Sequence, residues 1–572
     1  MKKLLICVIF ILFAISAFAQ EIYPSNVGSL EAIVTIYGNG AVSDLKEGQE
    51  VKLQTITFQE NEFQKILEVK EELTMNGRSY GGNYLLDEFN NKYVLFTISE
   101  NGSFNYKITA RVKTNASILN VPDYEIRQDT NDEIRKAYLK PTEKIESNSI
   151  EIITLTKNKI GSENYITTVD KTVNWVNDYV DYATGTDFSK YYLTQKSAIE
   201  TLLSKKGVCD EFANLGAAIL RVKKIPTQIN IGITFDGKEW GNHAWIGTYN
   251  ELLNMWIPSD PTFRESGFVD ATHIKMGSFS DITESQAKAV FPSNSNVSFD
   301  TQTKLPDVNI ISIGYFGEVM LEMPSEELKA NKWNKIKIKA TNISSGKVYA
   351  PISLQKNYKE ILVKENRKTL ELEKGETGEV EFEIYPQIKL ESNQIAKGII
   401  RVNSLSKPLE KEVVINAGTY DGSGEVVVED ITPIAHEGVL QISTTISNFY
   451  PENKEIDINI FGGDFSSTEK QIIPSFSSQT SIKEIPNYSI VPYSISITTP
   501  TAQYTQTIGL EKQKITIEPK QIEKKSIVEQ KIGDEKNTTE AVQNNPIVVL
   551  VGILIGVTIL LFALLWVNKK YV

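Results

Sequence analysis

Cysteine and histidine are scarce in this chain of 572 residues, which has two cysteines and three histidines. Cys7 lies in the apolar N-terminal segment, so removal of that segment would leave Cys209 as the one cysteine of the mature chain. A single cysteine excludes an internal disulfide, and one cysteine with three scattered histidines cannot build a thiolate metal site. A lone thiol in an exported protein instead marks a group that could react.

Positive charge is also in short supply, with 60 Lys and Arg against 72 Asp and Glu and a formal net charge of −12. An acidic chain is a poor partner for nucleic acid and for anionic lipid, and neither is expected to bind. The sequence contains no glycine-rich phosphate loop and no cluster of metal ligands, so we expect neither a cofactor nor a metal.

The N-terminus has the layout of a secretory signal peptide. Lys2 and Lys3 precede an apolar segment, residues 4–15, and Ala17-Phe18-Ala19 provides a cleavage signal of small residues. The apolar segment is short for a membrane-spanning helix. We therefore predict a signal peptide over residues 1–19, with an uncleaved anchor as the alternative.

The C-terminus has the composition of a membrane-spanning helix. Residues 547–567 contain no charge and are about as long as the ~20 residues that a spanning helix needs. Lys569 and Lys570 follow, and lysines beside a span favour the cytoplasmic side. The sequence thus predicts a single-pass protein of the cell membrane, with a spanning helix over 546–567, a cytoplasmic tail over 568–572 and the N-terminal part outside.

The rest of the chain is long enough for three or four domains. Segments that alternate apolar and polar residues, such as 335–340, 379–384 and 455–460, are typical of half-buried antiparallel strands. Only the middle of the chain mixes helical and strand patterns. The predicted domains are an N-terminal β-sandwich (20–145), an α+β domain (146–304), two Ig-like β-sandwich modules (305–420 and 421–512, with a break near 418–424) and a stalk (513–545).

Helical periodicity predicts helices over 168–182 and 198–203 in the α+β domain, and a third helix that begins at Cys209. Gly207 permits a tight turn immediately before it. Backbone N–H groups at a helix N-terminus stabilise a thiolate, so we expect the pKa of the Cys209 thiol to be lowered. Asp210 and Glu211 suit the first helical turn, although their charge would partly oppose a thiolate.

A hairpin follows this helix. Residues 228–235 and 240–248 are predicted strands joined by the turn signal Asp236-Gly237, and a third strand, 254–258, ends just before Asp260. His243 and Trp245 share one face of the second strand. Antiparallel neighbours can bring Asp260 beside His243, and packing on the helix would bring both near Cys209. Thiol, imidazole and carboxylate are the groups of an activated nucleophile.

The segments G-V-C-D-E-F-A, N-H-A-W-I and W-I-P-S-D-P-T resemble those of the transglutaminase-like superfamily, a branch of the papain-like thiol enzymes, in their order and in their steps of 34 and 17 residues. The flanking pattern is similar to exported, membrane-tethered prokaryotic and archaeal members with β-sandwich modules. The resemblance implies an α+β transglutaminase-like core with Cys209 as nucleophile, His243 as general base and then acid, and Asp260 as the residue that orients the imidazole. It also implies that the Cys209 amide helps to bind the oxyanion. It does not extend to the metal-binding architecture of calcium-dependent animal transglutaminases.

Some residues carry a second interpretation. Trp175 could donate its indole N–H to the oxyanion, but we favour a packing role because aromatic residues beside an apolar stripe usually widen the buried face of a helix.

His273 and His436 have no motif partners and are interpreted as structural or surface residues. Each of the three catalytic candidates, taken alone, would be an ordinary structural residue.

Three functions compete. The first is a peptidase or amidase that acts through a Cys209 thioester on a protein or peptide, possibly of the cell envelope. The second is a cross-linking transglutaminase, in which an amine replaces water. The third is a non-catalytic surface binding or adhesion protein, in which the thiol domain is a scaffold. Neither the substrate nor the oligomeric state is determined by the sequence.

Overall fold

The computed structural model describes residues 26–510, except for short gaps at 88, 117–120, 128–131, 186–187, 189–190, 192–193, 286, 301–303, 325–326 and 357–359. The predicted signal peptide, stalk, membrane span and cytoplasmic tail lie outside the described residues. Within the part of the chain that the structure does describe, no helix is long and apolar enough to cross a membrane.

Strands predominate along the chain, and helices are concentrated between residues 133 and 222. The first strands are β1 (Val27–Ser43), β2 (Val51–Ile56), β3 (Gln64–Met75), β4 (Arg78–Tyr80), β5 (Asn83–Leu86), β6 (Lys92–Ile98) and β7 (Gly102–Asn115). The middle region contains α1 (Glu133–Leu139), α2 (Ile150–Lys159), α3 (Tyr165–Tyr179), β8 (Asp181–Tyr182), α4 (Ala198–Ser204), β9 (Lys206–Gly207), α5 (Cys209–Val222), β10 (Thr227–Phe235), β11 (Trp240–Asn250), β12 (Met255–Ser259), β13 (Ile274–Phe279) and a 3₁₀ helix (Ile282–Ser285). The later strands are β14 (Lys288–Val290), β15 (Asn296–Asp300), β16 (Asp307–Tyr315), β17 (Val319–Glu322), β18 (Glu327–Lys329), β19 (Asn334–Asn342), β20 (Val348–Lys356), β21 (Ile361–Val363), β22 (Arg367–Leu372), β23 (Thr377–Pro386), β24 (Ile395–Asn403), β25 (Leu409–Asn416), β26 (Val426–His436), β27 (Val439–Asn448), β28 (Lys454–Gly462), β29 (Phe465–Ile473), β30 (Ser477–Pro486), β31 (Tyr493–Thr498) and β32 (Gln503–Ile508).

The N-terminal β-sandwich is built from two segments that are far apart in sequence. One sheet has the order β15-β1-β7-β3-β4, with β16 also paired to β1, and the other has the order β14-β2-β6-β5. Buried and exposed residues alternate along β7, as expected of a strand with one face on a core. Strands β14 to β16, which follow the α+β domain in the chain, therefore complete this sandwich. The sequence boundaries had assigned them to the α+β domain and to the next module.

The α+β domain consists of the antiparallel sheet β12-β11-β10-β13 and the helices that surround α5. Helix α5 is buried over nearly its whole surface, because α2, α3, α4 and the sheet all pack against it. The apolar face of the hairpin β10–β11, which includes Ile229, Ala244 and Ile246, belongs to the same core as the helix.

The helix pattern differs from the sequence expectation in two respects. Helix α3 begins at Tyr165 and ends at Tyr179, three residues earlier at each end than predicted. It cannot extend to residue 182 because residues 181–182 pair with β9. Helices α1 and α2 were not predicted. Helix α2 packs against α5 and also against β26 of the last module, so part of its surface is covered by another domain.

Two further sandwiches follow. The first combines the sheets β17-β19-β23-β21 and β18-β25-β24-β20-β22, and the second combines β26-β27-β30 with β29-β28-β31-β32. Each has its own hydrophobic core. Strand β25 ends at Asn416 and β26 begins at Val426, so the break predicted near 418–424 falls between them.

Candidate active site

Cys209 is the first residue of α5, and the turn before it is fixed by a buried carboxylate. Glu211 reaches back so that its Oε2 accepts from the Val208 N–H at 2.8 Å and its Oε1 accepts from the Lys196 N–H at 2.7 Å. A Cβ at Gly207 would lie 2.3 Å from the Cβ of Glu211, so this position requires glycine. The first helical position has no intrahelical acceptor for its N–H, which leaves the Cys209 amide available to a ligand.

The electrostatic environment of the thiol differs from the sequence expectation. The Cys209 side chain is buried, and burial together with the adjacent Asp210 carboxylate raises the pKa of the thiol well above its ordinary value. The Ala244 backbone N–H opposes this shift in pKa but does not reverse it. The Cys209 S–H donates to Asp210 Oδ1 at 3.6 Å. The expectation of a lowered thiol pKa is therefore wrong, because it considered the helix terminus and not the burial of the group.

His243 and Asp260 are brought together by neighbouring antiparallel strands. His243 lies on β11 opposite Gly232 of β10, and β12 pairs with β11 as far as Ser259, the residue before Asp260. His243 Nε2 lies 2.6 Å from Asp260 Oδ2. Since the carboxylate accepts only, Nε2 carries the proton, and a neutral imidazole would then have Nδ1 as its acceptor.

The loop after Asp260 binds its carboxylate. Asp260 Oδ1 accepts from the Thr262 N–H at 2.6 Å and from the Phe263 N–H at 3.2 Å. Burial alone would raise the pKa of Asp260, but the charges and hydrogen bonds of His243 and His273 hold that pKa well below its usual range. Asp260 is thus ionised at neutral pH and can stabilise an imidazolium at His243.

His273 is a site residue that the sequence interpretation missed. Its Nε2 lies 3.0 Å from Asp260 Oδ2, and its Nδ1 lies 3.1 Å from Asp270 Oδ1. Burial lowers the pKa of His273, but the bonds to Asp260 and Asp270 outweigh burial and raise the pKa to about 10. The side chain is fully buried, so the surface alternative for His273 is wrong. No motif signals this residue, since it lies in a loop and acts through tertiary contacts.

Aromatic side chains hold the plane of the His243 ring. Phe263 stacks on it with ring centroids 4.9 Å apart and an interplanar angle of 12°, and Trp245 lies parallel on the same strand at 6.1 Å. A ring that is packed on its face keeps one orientation, which favours directed proton transfer.

Cys209 and His243 line the same cleft, whose volume is about 480 Å³. One wall comes from the α+β domain and the other from the N-terminal sandwich. Gln195 also lines it, at a positive φ of 44°, and its side chain is hydrogen-bonded to Asp210. The sandwich contributes Ile36, Thr55, Ile56, Phe299 and Asp300.

Trp175 lies in the wall of a different cavity, between the α+β domain and the two later sandwiches. Its ring stacks on Tyr179 at 4.5 Å and packs against the core of the α+β domain. This position agrees with the packing role and gives no support to Trp175 as an oxyanion donor.

His436 has a partner in the structure, since its Nδ1 lies 2.7 Å from Glu151 Oε1 on α2. This contact joins the last sandwich to the α+β domain and supports the structural interpretation of His436.

Two groups of side chains in the described residues have the composition of metal ligands. One consists of His243, Asp260 and His273, and the other of His273, Asp270 and Glu265, with the ligand atoms of each group within 4.8 Å of one another. The histidines are scattered along the sequence, but in the structure the rings of His243 and His273 are 5.6 Å apart. Hydrogen bonds between histidine and carboxylate already account for the close approach in the first group.

A protein-family model matches the region that carries the motif. Residues 154–261, which include Cys209, His243 and Asp260, match the family model of the transglutaminase-like superfamily. A candidate cysteine protease from Cytophaga hutchinsonii is 20% identical, with 49% of this chain and 98% of that chain covered and a TM-score of 0.34. Red sea bream transglutaminase is 9% identical, with 82% of this chain and 95% of that chain covered and a TM-score of 0.17. No curated protein matches the chain. The predicted resemblance is confirmed, and residues 154–261 belong to a transglutaminase-like domain.

Proposed function

We propose that this protein, which contains a transglutaminase-like domain, is a thiol enzyme that hydrolyses amide bonds of a peptide or protein through a Cys209 thioester. The observation that carries the proposal is the cleft that Cys209 and His243 both line, with His243 bound to Asp260 at 2.6 Å. Nucleophile, base and orienting carboxylate are the three groups that acyl transfer to a thiol requires.

The raised thiol pKa determines the first step. The thiol is protonated at rest, so His243 Nδ1 acts as general base and removes its proton as the sulfur attacks the acyl carbon. Imidazolium forms beside Asp260, whose charge stabilises it. The Cys209 backbone N–H is the donor that would bind the oxyanion, and Gln195, whose side chain is bonded to Asp210, lines the same cleft.

Collapse of the tetrahedral intermediate breaks the C–N bond, and His243 gives its proton to the leaving amine. Water then attacks the thioester with His243 again as base, which releases the carboxylic acid and restores the thiol. The net reaction consumes one water and yields one acid and one amine.

A second candidate is amide transfer to an amine, as in a cross-linking transglutaminase. Asp210 and Asp300 line the cleft, and among the described residues that line it there is no lysine or arginine. A carboxylate-lined cleft would attract a cationic amine as the acceptor in place of water.

We also propose that the enzyme works outside the cell, tethered by the span predicted over residues 546–567, after loss of the signal peptide over 1–19. The predictions of both segments are based on amino-acid composition alone. A tethered enzyme would act on substrates within reach of its stalk, such as proteins or peptides of the cell envelope.

The experiment compares the full chain with its Cys209→Ala variant on a glutamine-rich protein, with and without a labelled primary amine. We expect new N-termini or released ammonia from the wild type and a loss of about 10³-fold or more in the variant. Amine incorporation that depends on Cys209 would identify the transferase. Membrane association after alkaline extraction, measured on the same preparations, tests the tether.

If the domain is a non-catalytic scaffold, neither hydrolysis nor amine incorporation should be detected. Because the mature chain would have one cysteine, alkylation reports on that thiol alone. If His243→Ala does not slow alkylation of Cys209 by a peptide electrophile, the imidazole is not acting as base and the non-catalytic alternative is favoured.

A further inference from the structure

The loop that follows Asp260 is held by a side chain from another domain. Arg367 is the first residue of β22, in the sandwich after residue 316, and its guanidinium donates to the backbone carbonyls of Phe263 (3.3 Å) and Arg264. We infer that Arg367 is a positioning residue for the catalytic histidine and carboxylate, so the third domain is part of the catalytic unit. The inference rests on the proposed function.

The peptide groups of this loop transmit the contact to Asp260. In a trans peptide the C=O and the N–H point in opposite directions, so fixing the carbonyl aims the next N–H. Arg367 holds the carbonyl of Arg264, and the following N–H, that of Glu265, donates to the Asp260 carbonyl at 2.9 Å. The same guanidinium holds the carbonyl of Phe263, whose ring covers His243.

A second clamp acts on the first half of the loop. Asn177 of α3 donates to the carbonyls of Pro261 and Thr262, both at 2.9 Å. The N–H groups that follow these carbonyls are those that bind Asp260 Oδ1. Asn177 thus binds the first two of four consecutive carbonyls (261–264) and Arg367 binds the last two. Of these two side chains, Arg367 is the one that comes from outside the α+β domain.

The environment of Arg367 indicates that this contact is costly to maintain. Arg367 is half-buried, and desolvation together with the positive charge of Arg264 lowers the pKa of Arg367 to about 10. Its Nε is buried and has no hydrogen-bond partner among the described residues. The carboxylates of Glu265, Asp170 and Asp178 compensate this charge in part, whereas the buried Nε donor without a partner costs free energy. Arg264, at a positive φ of 60°, is fixed in turn by Asn174 and Asp178 of α3.

The test uses the full chain with Arg367→Met, Arg367→Lys and the control Lys368→Met. Lys368 is the next residue on β22 and pairs with Glu365 at 3.4 Å, away from the loop. We expect Arg367→Met to lower kcat roughly 10- to 100-fold with KM within about twofold, as is typical when a catalytic group is misplaced by about 1 Å. Arg367→Lys should restore part of the rate, and Lys368→Met should match the wild type.

The pH profile of Cys209 alkylation by a peptide electrophile provides a readout that needs no turnover. If His243 is misplaced, the alkylation rate should depend less on pH in the range where the imidazole titrates. If the variant merely contains less folded protein, the rate should fall by the same factor at every pH. An unchanged profile and kcat in Arg367→Met would overturn the inference, as would a loss proportional to the unfolded fraction. If Arg367→Met does not fold, the same comparison is made with Arg367→Lys. An inactive wild type would instead count against the proposed function, and the alkylation profiles would still decide the role of Arg367.

Discussion

Asp260 is bound by two histidines, and only one of them lines the cleft with the thiol. His243 lines the cleft with Cys209, whereas His273 binds Asp260 through Nε2 and Asp270 through Nδ1. A cationic His273 lowers the free energy of the ionised Asp260, which then favours an imidazolium at His243. The negative charge beside the reacting histidine is therefore that of Asp260, which the contact with His273 keeps ionised.

Replacing His273 by glutamine should destabilise the protein in a pH-dependent way. The folded-state pKa of His273 is raised to about 10 from an ordinary 6.5. A group with a raised folded-state pKa contributes stability that is fully present below its unfolded pKa and is lost as the pH rises through its folded pKa. We therefore expect the difference in unfolding free energy between wild type and His273→Gln to be largest below pH 6.5 and to shrink towards pH 10. The change should exceed about 1.4 kcal/mol, the equivalent of one pKa unit.

Denaturant unfolding of both proteins at pH 6, 8 and 10 measures this difference. A gap of equal size at pH 6 and pH 10 would mean that His273 is not protonated in the folded protein.

At the same scale, motif order was sufficient to select Cys209, His243 and Asp260 as candidates, because chain order and strand pairing bring them together. The sequence could not select His273, Gln195 or Arg367, since each reaches the site from a loop or another domain. It also gave the wrong direction for the thiol pKa. The helix terminus is visible in the local sequence, whereas the burial of Cys209 depends on distant residues.

Among the elements, the start of α5 is the one that the chemistry depends on most directly. Gly207→Ala would place a Cβ 2.3 Å from the Glu211 side chain, which binds the Val208 and Lys196 N–H groups. Overpacking of this kind costs about 1–3 kcal/mol, and relief of the clash would move the first turn of α5. We expect a loss of stability in that range together with reduced turnover per folded molecule.

Gly161→Ala is the matched control, because a Cβ at Gly161 would meet nothing within 4 Å and its φ is not in the left-handed region. It should change the unfolding free energy by less than about 0.5 kcal/mol. Wild-type stability in Gly207→Ala would show that the turn adapts and that the glycine is not required.

Elements with strict periodicity could be predicted from the sequence with small errors. The alternating segments within β19, β23 and β28 all lie in strands, because a sheet with one buried face imposes period two. Helix α3 was placed three residues late, since its end is decided by the pairing of residues 181–182 with β9 and not by its own pattern. Helix α2 was missed because part of its apolar surface is covered by β26, a contact across more than 250 residues of sequence.

On the scale of the whole molecule, the transglutaminase-like domain is inserted into the N-terminal sandwich. Strand β1 pairs with β7 on one side and with β15 and β16 on the other, on either side of the inserted domain in sequence. Pairings over such distances leave no local signal, and the sequence therefore indicated a continuous sandwich. The arrangement has a functional consequence, because the sandwich supplies one wall of the cleft.

A fragment of residues 133–285 should therefore neither fold cooperatively nor act. It would expose Ile233, Ile274 and Met276, which belong to the core shared with the N-terminal sandwich. It would also lack Arg367 and one wall of the cleft. We expect it to aggregate or to unfold without a cooperative transition, whereas residues 26–510 should unfold cooperatively, as measured by scanning calorimetry and size-exclusion chromatography. The fragment contains every residue of the predicted triad. The comparison therefore tests whether the triad alone is sufficient or whether the cleft wall and the Arg367 contact are also needed. If residues 133–285 unfolded cooperatively and Cys209 reacted at the rate seen in the full chain, the catalytic unit would be the α+β domain alone, and neither the cleft wall nor the Arg367 contact would be needed for reactivity.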